Sequence, residues 1–143
     1  MICFLRKNTK SLSLNYSMFF RHLAPAFAWF LFIIFLTFMP GDELSPVSLW
    51  EEISFDKLVH FSVYCIFSLL LIIGLKKQTS FRFLKKNAIL LSLCMAISLG
   101  VLTELAQYFL VKQRFAEVFD VLANTLGAMF GVVVFKLLYY NNK

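Results

Sequence analysis

The chain predicts an all-α fold, a polytopic membrane protein built as a bundle of four transmembrane helices. Three observations predict it. Hydrophobic residues make up 60% of the 143 residues and charged ones 15%, which leaves too little polar surface to cover a water-soluble globule. The apolar residues are gathered into four runs of membrane-crossing length, close to the ~20 residues a helix needs. Those runs lack the alternation of barrel strands, so helices are what can satisfy every backbone N–H and C=O in lipid. A chain of 143 residues has room for one such bundle and no second domain.

The elements follow in order. Residues 1–22 form a basic N-terminal segment carrying Arg6, Lys7, Lys10 and Arg21. The first span covers residues 23–39 and is stopped by Pro40-Gly41. At ~17 residues and a rise of about 1.5 Å each, it crosses most of a ~30 Å hydrocarbon core. Thr37-Phe38-Met39-Pro40 offers no small-x-small cleavage site, so the span reads as an uncleaved anchor. The second span, residues 57–75, ends at Lys76-Lys77; the third, residues 87–111, follows Lys85-Lys86; the fourth covers residues 118–138, leaving 139–143 as a tail.

Loop charge sets the expected orientation. Lys76, Lys77, Arg82, Lys85 and Lys86 fill the loop between the second and third spans, whereas Asp42, Glu43, Glu51, Glu52 and Asp56 lie between the first and second with no Lys or Arg before Lys57. The positive-inside rule puts both termini and the middle loop in the cytoplasm of a plasma or inner membrane. The net charge of +6 is thereby assigned to topology and anionic lipid, and nucleic acid is not expected as a partner. Cys3 is expected in the cytoplasm, and Cys65 and Cys94 in lipid-embedded helices. No disulfide, CxxC pair or metal–thiolate site is indicated.

The polar residues inside the spans are the informative ones, because a charge there costs about 2.5–3.5 kcal/mol on insertion scales. Asp56, Lys57 and His60 open the second span; Glu104 and Gln107 lie in the outer part of the third; Arg114 is in the outer loop; Asp120 and Asn124 open the fourth. All eight fall on the extracytoplasmic side. Asp56, His60, Tyr64 and Ser68 recur every four residues, and Ser92, Ala96, Gly100, Glu104 and Gln107 make a small-then-polar stripe, so each set shares a helix face. Ala123, Gly127 and Gly131 form a small-xxx-small ladder that lets helices approach closely. The expectation is one polar pocket near the outer surface, with Glu104 either neutral through desolvation or ionised beside Lys57, His60 or Arg114.

These residues resemble the VanZ-like family, named for a membrane protein associated with teicoplanin resistance. The resemblance lies in Asp56-Lys57-Leu58-Val59-His60-Phe61, Glu104-Leu105-Ala106-Gln107, Arg114-Phe115 and Asp120-Val121-Leu122-Ala123-Asn124-Thr125-Leu126-Gly127-Ala128, over residues 40–135. It implies a small polytopic protein of the bacterial cell envelope, with Asp56, Lys57, His60, Glu104, Gln107, Arg114, Asp120 and Asn124 as its recurring polar positions; a tie to glycopeptide tolerance is implied at family level alone. Family members often carry a Pro-Gly turn where this chain has Val111-Lys112-Gln113.

Three functions remain open. The first is binding of an anionic lipid headgroup or lipid-linked cell-wall precursor, with Arg114 and Lys57 on the anion. The second is an intramembrane enzyme using His60 and Glu104 as acid and base. The third is a small transporter or accessory subunit, for which four spans require a homo-oligomer. Plainer readings stand beside them: interhelical hydrogen bonds for Gln107 and Asn124, and helix N-caps for Asp56 and Asp120. No cofactor is indicated. A metal would have only His60, Glu104 and Asp120 for ligands, without HExxH-type spacing, and none is assigned.

Overall fold

The computed structural model describes residues 2–38, 49–110 and 118–140, with side chains over 18–38, 55–110 and 118–139. Among the described residues the chain is helical and without strands. α1 runs Ile2–Thr37, α2 Leu49–Lys77, the short α3 Arg82–Lys86, α4 Ala88–Leu110 and α5 Val118–Phe135, extended by a π-helical turn over Lys136–Tyr140. The segments Met18–Thr37, Phe55–Lys77, Ala88–Leu110 and Val118–Tyr139 are each long and apolar enough to cross a membrane. The fold is a four-helix membrane bundle. α1 begins far ahead of its apolar run and α2 begins at Leu49, about two turns before Asp56, because a helix, once nucleated, extends through polar sequence that contains no Pro or Gly.

α2 is the central helix. It packs most extensively on α5 and also on α1 and α4, while α1 touches only α2 and α4 among the described helices. A cluster of Ala26, Ile33, Tyr64, Phe67, Leu71, Ala96 and Ala128 forms the core, flanked by Leu23, Trp29, Phe30, Val63 and Leu70. The outward faces carry large apolar side chains such as Phe27, Leu90, Phe109 and Leu126, the surface lipid requires.

α2 and α5 run parallel and nearly touch backbone to backbone. A methyl group on Gly127 would overlap the Phe61 carbonyl oxygen, and one on Gly131 would overlap Ser68 Oγ. The Gly131 methyl would also overlap the Cys65 carbonyl oxygen, and one register holds throughout, since Gly127 and Gly131 are a turn apart, as are Phe61 and Cys65. Ser68 Oγ adds a hydrogen bond of 2.9 Å to the Ala128 carbonyl. On the other side of α2, α1 runs antiparallel: Trp29 Nε1 donates to the Val63 carbonyl at 3.0 Å, and a Cβ on Gly74 would sit 2.8 Å from the His22 carbonyl.

The two ends of the bundle differ. At one end the α2–α3 turn is closed by buried Gln78, whose Oε1 accepts from Phe81 N at 2.8 Å and whose Nε2 donates to the Phe81 carbonyl at 2.7 Å. Lys76, Lys77, Arg82, Lys85 and Lys86 gather there. Among the described residues, the opposite end holds Asp56, Glu104 and Asp120, with the amides of Gln107 and Asn124. Gly127→Ala is expected to destabilise the bundle by about 1–3 kcal/mol, the cost of forcing a methyl into a packed backbone, whereas Leu126→Ala on the lipid face has little effect. Thermal melting in detergent of the two variants checks this.

Candidate functional site

The α2–α5 seam positions the site. Phe61 against Gly127 brings the preceding residue on α2, His60, beside Asn124, one turn before Gly127 on α5. His60 Nδ1 and Asn124 Oδ1 are 3.1 Å apart. Asn124 is only 1% exposed, and its Nδ2 donates to Glu104 Oε1 on α4 at 3.5 Å. An amide oxygen only accepts, so with this orientation His60 Nδ1 carries a proton and donates it. α4 reaches the site because Gly100 lets it come close: a Cβ there would stand 3.0 Å from Asn124 Cβ.

Around this buried line lies a ring of charge. His60 Nδ1 is 3.7 Å from Glu104 Oε1, and His60 Nε2 is 3.8 Å from Asp56 Oδ1, one turn earlier on α2. Lys57 Nζ is 3.7 Å from Asp120 Oδ1 and 6.0 Å from the centre of the Phe119 ring, the outer range of a cation–π contact. Exposure falls steeply inward. The Asp56 side chain is 47% exposed and Lys57 27%, whereas Glu104 is 3% exposed as a residue. Beneath Glu104, Tyr64 OH meets Thr103 Oγ1 at 2.8 Å, and the Thr103 hydroxyl donates back to the Gly100 carbonyl at 2.9 Å.

Six expected residues, Asp56, Lys57, His60, Glu104, Asp120 and Asn124, thus meet at one end of three helices. Gln107 is buried one turn beyond Glu104 on the same face of α4. Arg114, with Val111-Lys112-Gln113 and Phe115, lies outside the described residues. The expected N-cap roles do not fit: α2 starts at Leu49, which puts Asp56 well inside the helix, and Asp120 is the third residue of α5. Asp120 still meets the positive end of the helix from within the first turn. Thr103 was missed by sequence reasoning; it lies three residues after Gly100, and that spacing was the available signal.

Chemically, the arrangement brings together an imidazole and a carboxyl group at a distance one water can bridge, an accessible ammonium for an anion, and converging oxygens and a nitrogen for a cation. A search of curated proteins and of solved structures returns no match. The family model described as VanZ/LLP1 matches residues 7–139, extending beyond the central motifs to the first span, and the chain belongs to this VanZ-like family.

Proposed function

We propose that the polar end of the bundle faces outward across a bacterial plasma or inner membrane, with both termini in the cytoplasm, and there engages the polar, anionic part of an envelope lipid or lipid-linked cell-wall precursor. One observation carries the reading: three largely apolar helices bring six polar side chains together at one end, graded from exposed Asp56 and Lys57 to buried Glu104. Ionisable groups held in a membrane interior are costly and mark sites of binding or chemistry. The basic residues at the opposite end support the orientation. Lys57 is the accessible cation for a phosphate, held at the rim by Asp120, with Arg114 as its expected companion. Family membership adds the envelope setting.

A second reading, an acid/base enzyme acting on a lipid-linked substrate, is favoured by the 3.7 Å separation of His60 Nδ1 and Glu104 Oε1. That is longer than the roughly 2.6–3.2 Å of a direct proton transfer and short enough for one water or a small closure to bridge. The two readings part on Glu104→Gln, which keeps shape and hydrogen bonding: headgroup retention should persist in that variant, while turnover of a substrate would fall by about 10²–10⁴-fold, the usual worth of a general acid or base.

Two measurements test the proposal. With Cys3, Cys65 and Cys94 changed to Ser, a membrane-impermeant maleimide should label Val118→Cys, an exposed position, in intact cells, and Thr79→Cys only after permeabilisation. The reverse pattern would invert the protein and remove the outward site. For binding, native mass spectrometry of the purified chain should show phosphatidylglycerol retained over phosphatidylcholine, with retention at least tenfold weaker in Lys57→Ala at an unchanged melting temperature. Equal retention in both proteins would assign Lys57 to packing alone.

A further inference from the structure

We infer that Asp56, His60 and Asp120 form a binding site for a divalent metal ion of the zinc class at the polar end of the bundle. Spacing along the chain offers His60, Glu104 and Asp120 as ligands, but the geometry groups a different set. One ligand atom each from Asp56, His60 and Asp120 lies within 4.8 Å of the others. Asp56 and His60 are four residues apart on one face of α2, and Asp120 comes from the first turn of the neighbouring α5. An i,i+4 ligand pair on one helix, completed by a ligand from elsewhere, is how helical proteins build such sites. Three ligands around a zinc ion at about 2.0–2.2 Å stand roughly 3.4 Å apart. His60 Nε2 and Asp56 Oδ1, at 3.8 Å, are near that already, and the half-exposed Asp56 has room to close the rest.

A second feature is independent of that proximity. His60 is held from behind: Nδ1 donates to Asn124 Oδ1, and Asn124 in turn donates to Glu104. This makes Nδ1 the donor and leaves Nε2 facing Asp56, so that in the neutral imidazole the lone pair points there. A ligating histidine characteristically has its other nitrogen tied this way, and the outer partner orients the ring and raises its basicity. Glu104 thus belongs behind the site rather than in it.

Charge points the same way. The described groups are three carboxyl groups, Asp56, Glu104 and Asp120, and one imidazole, against one ammonium, Lys57. Acidic groups outnumber the ammonium, which suits a cation held between them. A nitrogen ligand beside two carboxylates favours zinc over magnesium or calcium, which take oxygen ligands. Three protein ligands leave a coordination position open, on the side where Asp56 is exposed, and a lipid phosphate could fill it. Only that last step rests on the headgroup reading. The metal site itself does not.

Zinc alone tests it, on the full chain in detergent, stripped with EDTA and carrying Cys3→Ser, Cys65→Ser and Cys94→Ser so that no thiolate competes. Calorimetry should show one zinc per chain, not displaced by excess magnesium. Asp56→Asn, at a half-exposed position that the fold tolerates, and His60→Gln should each weaken binding at least tenfold. Asn124→Ala should weaken it about 10–100-fold through the lost support of the ring. Lys57→Gln, which removes the ammonium competing for Asp120, should bind zinc as tightly or more so. Less than 0.5 zinc per chain, or affinity unchanged in both Asp56→Asn and His60→Gln, would overturn the site, as would weaker binding in Lys57→Gln. Repeating the phosphatidylglycerol measurement with and without zinc separates the two proposals: zinc bound with no lipid retained leaves the metal site and removes the headgroup reading, and lipid retained with no zinc bound does the opposite.

Discussion

The close approach of α2 and α5 is the constraint on which the polar end depends. Gly127 leaves its Cβ position to the Phe61 carbonyl, so two helix backbones come nearer than any side chain would permit. In lipid this is also how helices hold together, since no hydrophobic force separates one apolar surface from another and packing must supply the attraction. The same contact sets the distance between His60 and Asn124, each within a turn of it. Had Gly127 and Gly131 been Ala or Leu, the helices would stand further apart and the 3.1 Å contact between ring and amide would open. Packing and site geometry are therefore one property of this seam, not two.

From that seam the cluster is built outward in layers. Tyr64 with Thr103 forms the innermost polar contact, then Glu104 with Asn124, then His60, and last Asp56 and Lys57 at the rim. Each inner group is satisfied by a partner on another helix, as burial demands. The outer groups are the ones whose partners can exchange. An ion pair such as Lys57 with Asp120 at 3.7 Å is loose by the standard of a charge-assisted hydrogen bond, which runs about 2.7–2.9 Å. On the metal proposal, Lys57 is the member that gives way to an incoming ion, while buried Asp120 stays in place.

Much of this was legible in the sequence, and the reasons are specific. The four apolar runs and their helical nature follow from composition, because lipid leaves few alternatives. The meeting of His60, Glu104 and Asn124 was foreshadowed by stripes at three- and four-residue spacing beside the small-residue ladder. Helix starts were not legible: polar sequence ahead of the second span, Leu49 to Phe55, is compatible with either loop or helix, and the structure takes it into α2. That extension moves Asp56 from a cap to a helix face and changes what it can do. Nor could spacing decide which acid completes a set with His60. Glu104 and Asp120 lie on different helices from His60, and only the relative rotation of α4 and α5 puts one behind the ring and the other in front of it.

The energetics argue against reading the cluster as mere fastening. Hydrogen bonds between membrane helices contribute on average about 0.6 kcal/mol each, with a ceiling near 1.7, whereas a single acidic residue at the centre of a span costs about 2.5–3.5 kcal/mol to insert. Even near the end of the helices, where water lowers that cost, three carboxylates against one lysine are an expensive way to hold together a bundle that already has its Gly127–Gly131 seam, the Ser68–Ala128 bond and a continuous apolar core. Apolar residues of similar volume would serve stability as well or better. On the metal proposal, a cluster in which carboxyl groups outnumber the ammonium, exposed at Asp56 and braced behind by Asn124, suits a cationic occupant. That imbalance, more than the presence of polar groups, is what the proposal rests on.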